Sequence, residues 1–308
     1  MKKERKPVTV APNFYQIGTP AYPAYVSTGD EAMIIEGGIT ATFPILVDQI
    51  SALGIDPNRI KYLVITHTHP DHIGAVTRMK KLWPHLKVVA SHAAEKILMD
   101  QEAVKDYANL DNGINEILMI KGELEQWPAE FENPAFEVDR VVKEGDKLDL
   151  GCGNVWTIYD SPGHSSCHLS LHNEREEILV VGDATGLYDF ETDLFWPNYF
   201  DSLETYCNSI RKLAGLPARI GALSHNGTVR GEVKEYFRKA MKATQSYHLT
   251  MLKRNGNGDD SAKMALETAK WVYTFTNMQP FRVIHGLSKL MMKRSQSAGD
   301  MEDLFTLS

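Results

Sequence analysis

Between residues 65 and 72 the chain reads Ile-Thr-His-Thr-His-Pro-Asp-His, and this stretch constrains the fold more than any other. Three imidazoles (His67, His69, His72) and one carboxylate (Asp71) follow directly on the apolar run Tyr62-Leu63-Val64-Ile65. A strand ending there releases His67 and His69 to one side, because strand side chains alternate with period two. Pro70 turns the chain and suits the first position of a helix, which sets Asp71 and His72 beside a neighbouring spot. One strand end and one helix start can therefore offer ligands to two adjacent metal ions. Histidines also cluster by chance in soluble loops, but HxHxDH spacing argues against that reading.

Three later segments repeat one layout, an apolar run followed by a His or Asp among small residues. Val155-Trp156-Thr157-Ile158-Tyr159 leads to Ser161-Pro162-Gly163-His164-Ser165, and Ile178-Leu179-Val180-Val181 leads to Gly182-Asp183-Ala184. Ile220-Gly221-Ala222-Leu223 leads to Ser224-His225-Asn226-Gly227. Small residues let the backbone turn sharply and come close to a metal. Each segment alone is weak, since an Asp after a strand is often a helix cap. Following HxHxDH in this order, they form a specific pattern.

On these motifs the chain resembles the metallo-β-lactamase superfamily over roughly residues 10–230. The resemblance implies an α/β fold, an αββα sandwich with ligands on loops along one edge, here with a C-terminal helical extension. It also implies that His67, His69 and His164 hold one metal, that Asp71, His72 and His225 hold a second, and that Asp183 bridges them. Two divalent ions per chain are thus expected, zinc by default. Iron or manganese also suits imidazole and carboxylate ligands.

The 308 residues allow one large domain or two small ones, and 43% hydrophobic content is ample for a core. A net charge of −7 argues against a general nucleic-acid-binding surface. Basic Met1–Lys6 leads to Pro7 with no apolar run behind it, and no segment approaches a membrane span. Cys152, Cys167 and Cys207 are too few for a disulfide framework, which suits a reducing cytoplasm. Cys167 lies near His164, where a small buried thiol is a simpler reading than a redox role. The expected partners are a small-molecule substrate and no nucleic acid or membrane; a homodimer is compatible with the sequence.

Alternating residues 13–36, with a turn at Thr28-Gly29-Asp30, read as paired strands closing on Ile34-Ile35-Glu36-Gly37-Gly38. Residues 42–53 and 73–82 have helical spacing, and Lys87–Ala90 reads as a strand, an alternation that suits an α/β core. Residues 93–127 carry apolar positions at helical intervals and read as an inserted helical pair near the site mouth, or as an ordinary connection. Val141–Leu150 resembles a strand-turn-strand that opens the second half of the family's core. The core reads as residues 1–230. Residues 231–308 read as three amphipathic helices, the first broken at Asn255-Gly256-Asn257-Gly258 and the second capped by Ser261.

Two ions about 3.5–4 Å apart lower the pKa of a shared water, activating it against ester, thioester, lactone, amide or phosphodiester centres. Asp71 is the expected catalytic residue, orienting that nucleophile or passing its proton to the leaving group. His168 reads as an outer support. The segments around Ile35–Ile39 and 182–197, with the helical tail, resemble the quinolone-signal response thioesterase branch of the family. That likeness implies an ester or thioester of a small hydrophobic acid, with the terminal helices covering the entrance. Tyr188, Phe195, Trp196 and His285 are candidate pocket residues, although core packing accounts equally well for Phe195 and a helix surface for His285. Lactonases of the family place a Tyr three residues after the bridging Asp, where this chain has Gly186. Its diiron oxygen reductases replace the second His of HxHxDH with Glu, where this chain has His69. The glyoxalase-type thioesterases have a different tail, with a basic cluster this tail lacks. The alternatives are a phosphodiesterase or, demoted by Gly186, a lactonase of the same fold, and a regulatory binding protein with an occluded metal site.

Overall fold

In a computed structural model, which describes residues 5–124, 126–131, 136–299 and 301–307, seven strands form one sheet in chain order. β1 (Val8–Ala11), β2 (Phe14–Gly18), β3 (Pro23–Thr28) and β4 (Ala32–Ile35) run antiparallel as a meander. β5 (Ile60–Val64), β6 (Lys87–Ser91) and β7 (Arg140–Val142) continue the sheet in parallel. The second sheet contains β8 (Lys147–Asp149), β9 (Val155–Asp160), β10 (Leu169–Asn173) and β11 (Ile178–Gly182). A separate hairpin, β12 (Leu187–Asp189) and β13 (Leu194–Trp196), precedes β14 (Ile220–Leu223) and β15 (Thr228–Arg230), which complete that sheet in the order β15-β14-β11-β10-β9-β8. Val141–Leu150 is therefore no hairpin: β7 ends the first sheet and β8 opens the second, so this segment is where the chain changes layers.

Period-two alternation sorts the side chains into three cores. Met33 and Ile35 on β4 meet Ile178 and Val180 on β11 in the layer between the sheets, with Trp156 at its centre. The intervening Ala32 and Ile34 face outward under α1 (Phe43–Ala52), α2 (Pro70–Ile73), α3 (Val76–Leu82) and α4 (His92–Met99). Leu179 and Val181 face the other way, into a third core shared with the C-terminal helices. Helices on both outer faces of two stacked sheets make the αββα sandwich.

Residues 92–120 hold three helices: α4, α5 (Gln101–Val104) and α6 (Tyr107–Ile120). Buried Asp111 of α6 ties it down, accepting from the Thr40 backbone N–H and hydroxyl and from the Asn115 amide. Beyond α7 (Leu203–Ala214), the tail consists of α8 (Val233–Gly256), α9 (Ser261–Phe275) and α10 (Phe281–Ala298). Asp260, rather than Ser261, caps α9: its carboxylate accepts from the Lys263 N–H, which makes Ser261 the first helical residue. Among the bonds that pin the tail, Tyr22 Oη donates to Met278 O (2.6 Å), Arg294 Nε donates to Phe200 O (2.8 Å), and Tyr199 Oη pairs with Ser295 Oγ (2.7 Å). None of the described helices is long and apolar enough to cross a membrane.

Candidate metal centre

Every strand that leads to a motif residue ends at the same edge of the sandwich. β5 stops at Val64 and releases His67 and His69; α2 starts at Pro70 and carries Asp71 and His72 in its first turn. The loops after β9, β11 and β14 deliver His164, Asp183 and His225. Two backbone features make these approaches feasible. Gly163 lies at φ +124° with its α-carbon against the Tyr206 backbone, where a Cβ would fall 2.2 Å from Tyr206 atoms. Gly182 lies at φ +64° against the His168 ring, where a Cβ would fall 2.4 Å from Nε2.

The seven expected ligands converge. His67, His69 and His164 form one group of ring nitrogens, Asp71, His72 and His225 a second group of ligand atoms, and His67, His72 and Asp183 link the two. His69 Nδ1 lies 2.9 Å from His67 Nε2 and 3.0 Å from His164 Nε2. Asp183 Oδ2 lies 3.4 Å from the Nε2 atoms of His72 and His164, 3.5 Å from that of His225 and 3.8 Å from that of His67. One carboxylate oxygen thus faces four imidazoles, as a bridging ligand requires.

Outer partners fix the tautomers. His164 Nδ1 donates to Asn198 O (2.9 Å), and His225 Nδ1 to Ala21 O (2.8 Å). His72 Nδ1 donates to Glu36 Oε2 (3.1 Å), and Glu36 Oε1 accepts from the Thr66 and Ser224 hydroxyls at 2.7 Å. With Thr66 donating to Glu36, its oxygen accepts from His67 Nδ1 at 3.0 Å. Four Nε2 lone pairs therefore point inward. His72 Nε2 is buried with no hydrogen-bond partner among the described residues. Lone pairs crowded at such distances repel one another unless a cation lies between them. At metal–nitrogen distances of about 2.0–2.1 Å the same crowding becomes a coordination shell, so the residues present fit a pair of metal ions.

The electrostatics agree. Burial pushes His67 and His164 well below the ordinary imidazole range, and the charge on His72 adds to the effect at His67. Burial opposes charge at His72 and His225 as well, yet Glu36 and Asp71 lift His72, and Asp183 lifts His225. Burial would raise Asp183, but His225, His72 and His164 outweigh it and hold the carboxyl well below its usual range. The centre is built to hold positive charge.

Glu36 was not legible as a supporting residue; its only signal is an acid in Ile35-Glu36-Gly37 after a strand, and it holds φ +77°, a left-handed conformation that Glu rarely adopts. His168 is the outer support expected of it. Its Nε2 accepts the Asp183 N–H (2.9 Å), so Nδ1 carries the proton and donates to Ser161 Oγ (2.7 Å), which continues to Ser170. Burial lowers the His168 pKa to about 4. With an unfolded value near 6.5, stability is full above about pH 6.5 and is lost as pH falls towards 4, by about 1.4 kcal/mol per pH unit for one proton. His67 and His164 push in the same direction, so His168→Gln, which keeps an acceptor for the Asp183 N–H, is expected to flatten the slope by one proton's share. Urea unfolding of metal-free protein from pH 7 to 4 measures this, and an unchanged slope would remove His168 from the account.

Five of the seven, His69, Asp71, His164, Asp183 and His225, line a cavity whose walls include Leu187, Trp196, Asn198 and Phe200 and whose roof includes Leu110 and Ile114 of α6, Thr276 and Gln279 before α10, and Val283, Ile284 and Leu287 of α10. Of the four pocket candidates, Trp196 lines this cavity. Tyr188, Phe195 and His285 do not line it. The hairpin register explains the first two: Leu187 pairs with Trp196 on the cavity side, and Tyr188 pairs with Phe195 on the opposite face, packed beside Tyr236. His285 stacks on Phe281 along α10, its ring 6.3 Å away. Cys167 is a buried free thiol against Ser165 and Thr68, outside the ligand groups.

The chain is similar to proteins already known. Flavo-diiron protein FprA2 of Clostridium acetobutylicum is 31% identical over 197 residues, covering 62% of this chain and 42% of that protein. N-acyl homoserine lactonase AttM of Rhizobium johnstonii is 27% identical over 181 residues, covering 57% and 60%. The chain thus spans less than two thirds of the length of either relative. Among solved structures, BJP-1, a subclass B3 metallo-β-lactamase of Bradyrhizobium japonicum, superposes with a TM-score of 0.59 at 20% identity, covering 84% of this chain and 98% of that one. The family model of the metallo-β-lactamase superfamily matches residues 19–225, a span that reaches the last of the seven ligand positions, and this chain belongs to that superfamily.

Proposed function

We propose that the chain is a dinuclear metal-dependent hydrolase that cleaves an ester or thioester of a small hydrophobic acid. The supporting observation is the convergence of seven ligand-type side chains, five of which line a largely apolar cavity of about 120 Å³ roofed by α6 and α10. When bound, a pair of divalent ions supplies an activated water and an electrophile for the substrate oxygen. His67, His69 and His164 would hold the first ion, Asp71, His72 and His225 the second, with Asp183 shared. Asp71 lies on the cavity wall with Oδ2 3.6 Å from His225 Nε2, where it can orient the nucleophile and receive its proton. The apolar walls take the acyl group and exclude water, which strengthens every charge interaction at the floor.

Thioester chemistry rests on the resemblance to the quinolone-signal response thioesterase in residues 35–39, in residues 182–197 and in the tail. A lactone is an internal ester, so AttM keeps it in the test panel. Gly186 argues against a lactonase, since a Cβ there would meet the Trp196 carbonyl at 2.3 Å and no phenol can stand at that position. FprA2 raises iron as the metal, while His69 in place of Glu argues against oxygen reduction. Metal analysis of the purified protein, followed by acyl-CoA, aryl ester, lactone and phosphodiester substrates, tests the proposal. It expects carboxylic ester or thioester hydrolysis that a chelator abolishes and added metal restores. Turnover confined to phosphodiesters, or none in fully metallated protein, would overturn it.

The roof makes a separate prediction. Ile284 and Leu287 line the cavity from α10 and are not among the ligand groups. Replacing each with Asn is expected to admit bulkier acyl groups, raising the ratio of bulky to short ester rates several-fold with metal content unchanged. Unchanged ratios in folded, metallated variants would assign α10 to stability alone.

A further inference from the structure

A second groove, of about 650 Å³, runs between the β12–β13 hairpin, α8 and α9 and shares no lining residue with the active cavity. Its lining follows α8 from Lys239 to Arg254, about 22 Å at 1.5 Å per residue. The surface is largely apolar, and Phe195, Ala243, Tyr247 and Met251 contribute to it. Leu194 of the hairpin and Trp271 of α9 line it too, and they stay 36% and 38% exposed. Most polar groups along the groove are already matched. Lys239 Nζ holds both oxygens of Asp193, at 2.9 and 2.7 Å. Arg254 bonds Asp259 at 2.7 Å and Glu267 at 2.8 Å. Thr250 Oγ1 donates to the Ser246 carbonyl (2.7 Å), and the Tyr247 hydroxyl lies beside Thr268. The Lys242 ammonium and the Ser246 hydroxyl are different: both residues are exposed, and neither side chain has a hydrogen bond or ion pair among the described residues.

We propose that this groove is a second binding site, for an amphiphilic monocarboxylate of the fatty-acid type. Lys242 and Ser246 stand four residues apart on α8, so their side chains are neighbours on one helix face. An ammonium and a hydroxyl side by side offer donors to the two oxygens of one carboxylate. The groove's two carboxylates, Asp193 and Glu267, are already held by Lys239 and Arg254, so one positive charge is left over and a single negative charge answers it. A neutral lipid leaves Lys242 unmatched. An amphipathic helix needs polar partners spread along its length, whereas the unmatched donors here are gathered at one place. The alkyl chain covers Leu194 and Trp271, and removing that apolar surface from water drives the binding. The site is independent of the chemistry at the metal centre, so its failure leaves the hydrolase reading untouched.

The test is calorimetric titration of metallated full-length protein with decanoate, and with 1-decanol as the uncharged analogue. Decanoate is expected to bind about 5-fold more tightly than decanol at low salt, an advantage that shrinks as salt is added. Lys242→Met keeps the aliphatic stem and should erase that advantage without changing decanol binding. Trp271→Ser should weaken both ligands about 10-fold, with melting temperature and metal content held; Leu194→Ser, on the opposite wall, replaces it if that variant does not fold. Decanoate binding that survives both the lysine and the wall substitutions would place the acid elsewhere, at the metal centre for example, and overturn the inference. Absence of decanoate binding would overturn it as well. So would a dimer in sedimentation velocity that Trp271→Ser or Leu194→Ser dissociates, since the groove would then be covered by a second copy of the chain.

Discussion

Asp183→Ala is expected to yield a folded chain that retains at most about one equivalent of metal and turns over at least about 10³-fold more slowly than the wild type. The expectation comes from one atom. Asp183 Oδ2 stands 3.4–3.8 Å from four imidazole nitrogens, and no other described carboxylate does so. Asp71 offers its oxygens to His72 and His225 alone, at 3.7 and 3.6 Å, and Glu36 faces only the outer nitrogen of His72. With Asp183 gone, two ions would have to share the site without that carboxylate, and more of their mutual repulsion inside a buried pocket would go uncompensated. Metal per chain by elemental analysis, with melting temperature as the folding control, checks the first half of the prediction; initial rates check the second. Two equivalents of metal and ordinary turnover in Asp183→Ala would mean that the carboxylate is no bridge.

How far the sequence foretells this site depends on the range of the forces involved. The ligands were legible because each follows an apolar run and each turn needs small residues, both of which are local patterns. The same logic found the strands from β2 to β6 and the helices of the tail. It failed where the outcome depends on which layer a strand joins. Val141–Leu150 has the pattern of a hairpin, but β7 pairs with β6 and β8 with β9, and only the assembled sheets decide that. Pocket residues failed for a related reason. Tyr188 and Trp196 look equally suited to an acyl group, yet a one-residue alternation sends Leu187 and Trp196 inward and Tyr188 and Phe195 out. Glu36 lies 36 residues from the His72 it supports, and nothing near it in the chain signals the contact.

Asp71→Asn is the second large effect, expected to lower kcat by about 10²-fold or more while KM changes little. Asparagine keeps the shape of the side chain and an oxygen able to contact metal, so the substitution isolates the charge and the proton-accepting ability. Asp71 is 6% exposed, and it lines the cavity between the ligands and the roof. Asp183 lines the cavity too, but one of its oxygens is held among four imidazoles, and Glu36 does not line it and faces the outer nitrogen of His72. A carboxylate at position 71 can accept a proton from the attacking water and return it to the leaving group. An amide can do neither, and the barrier rises in the chemical step rather than in binding. Asp71 is also a candidate ligand, so the rate is read per metallated site, with added metal to saturation. A rise in KM at constant kcat would assign Asp71 to substrate binding. Near-wild-type kcat with both metals held would leave it a ligand and nothing more, and the proton would then have to leave by way of Asp183 or the substrate itself.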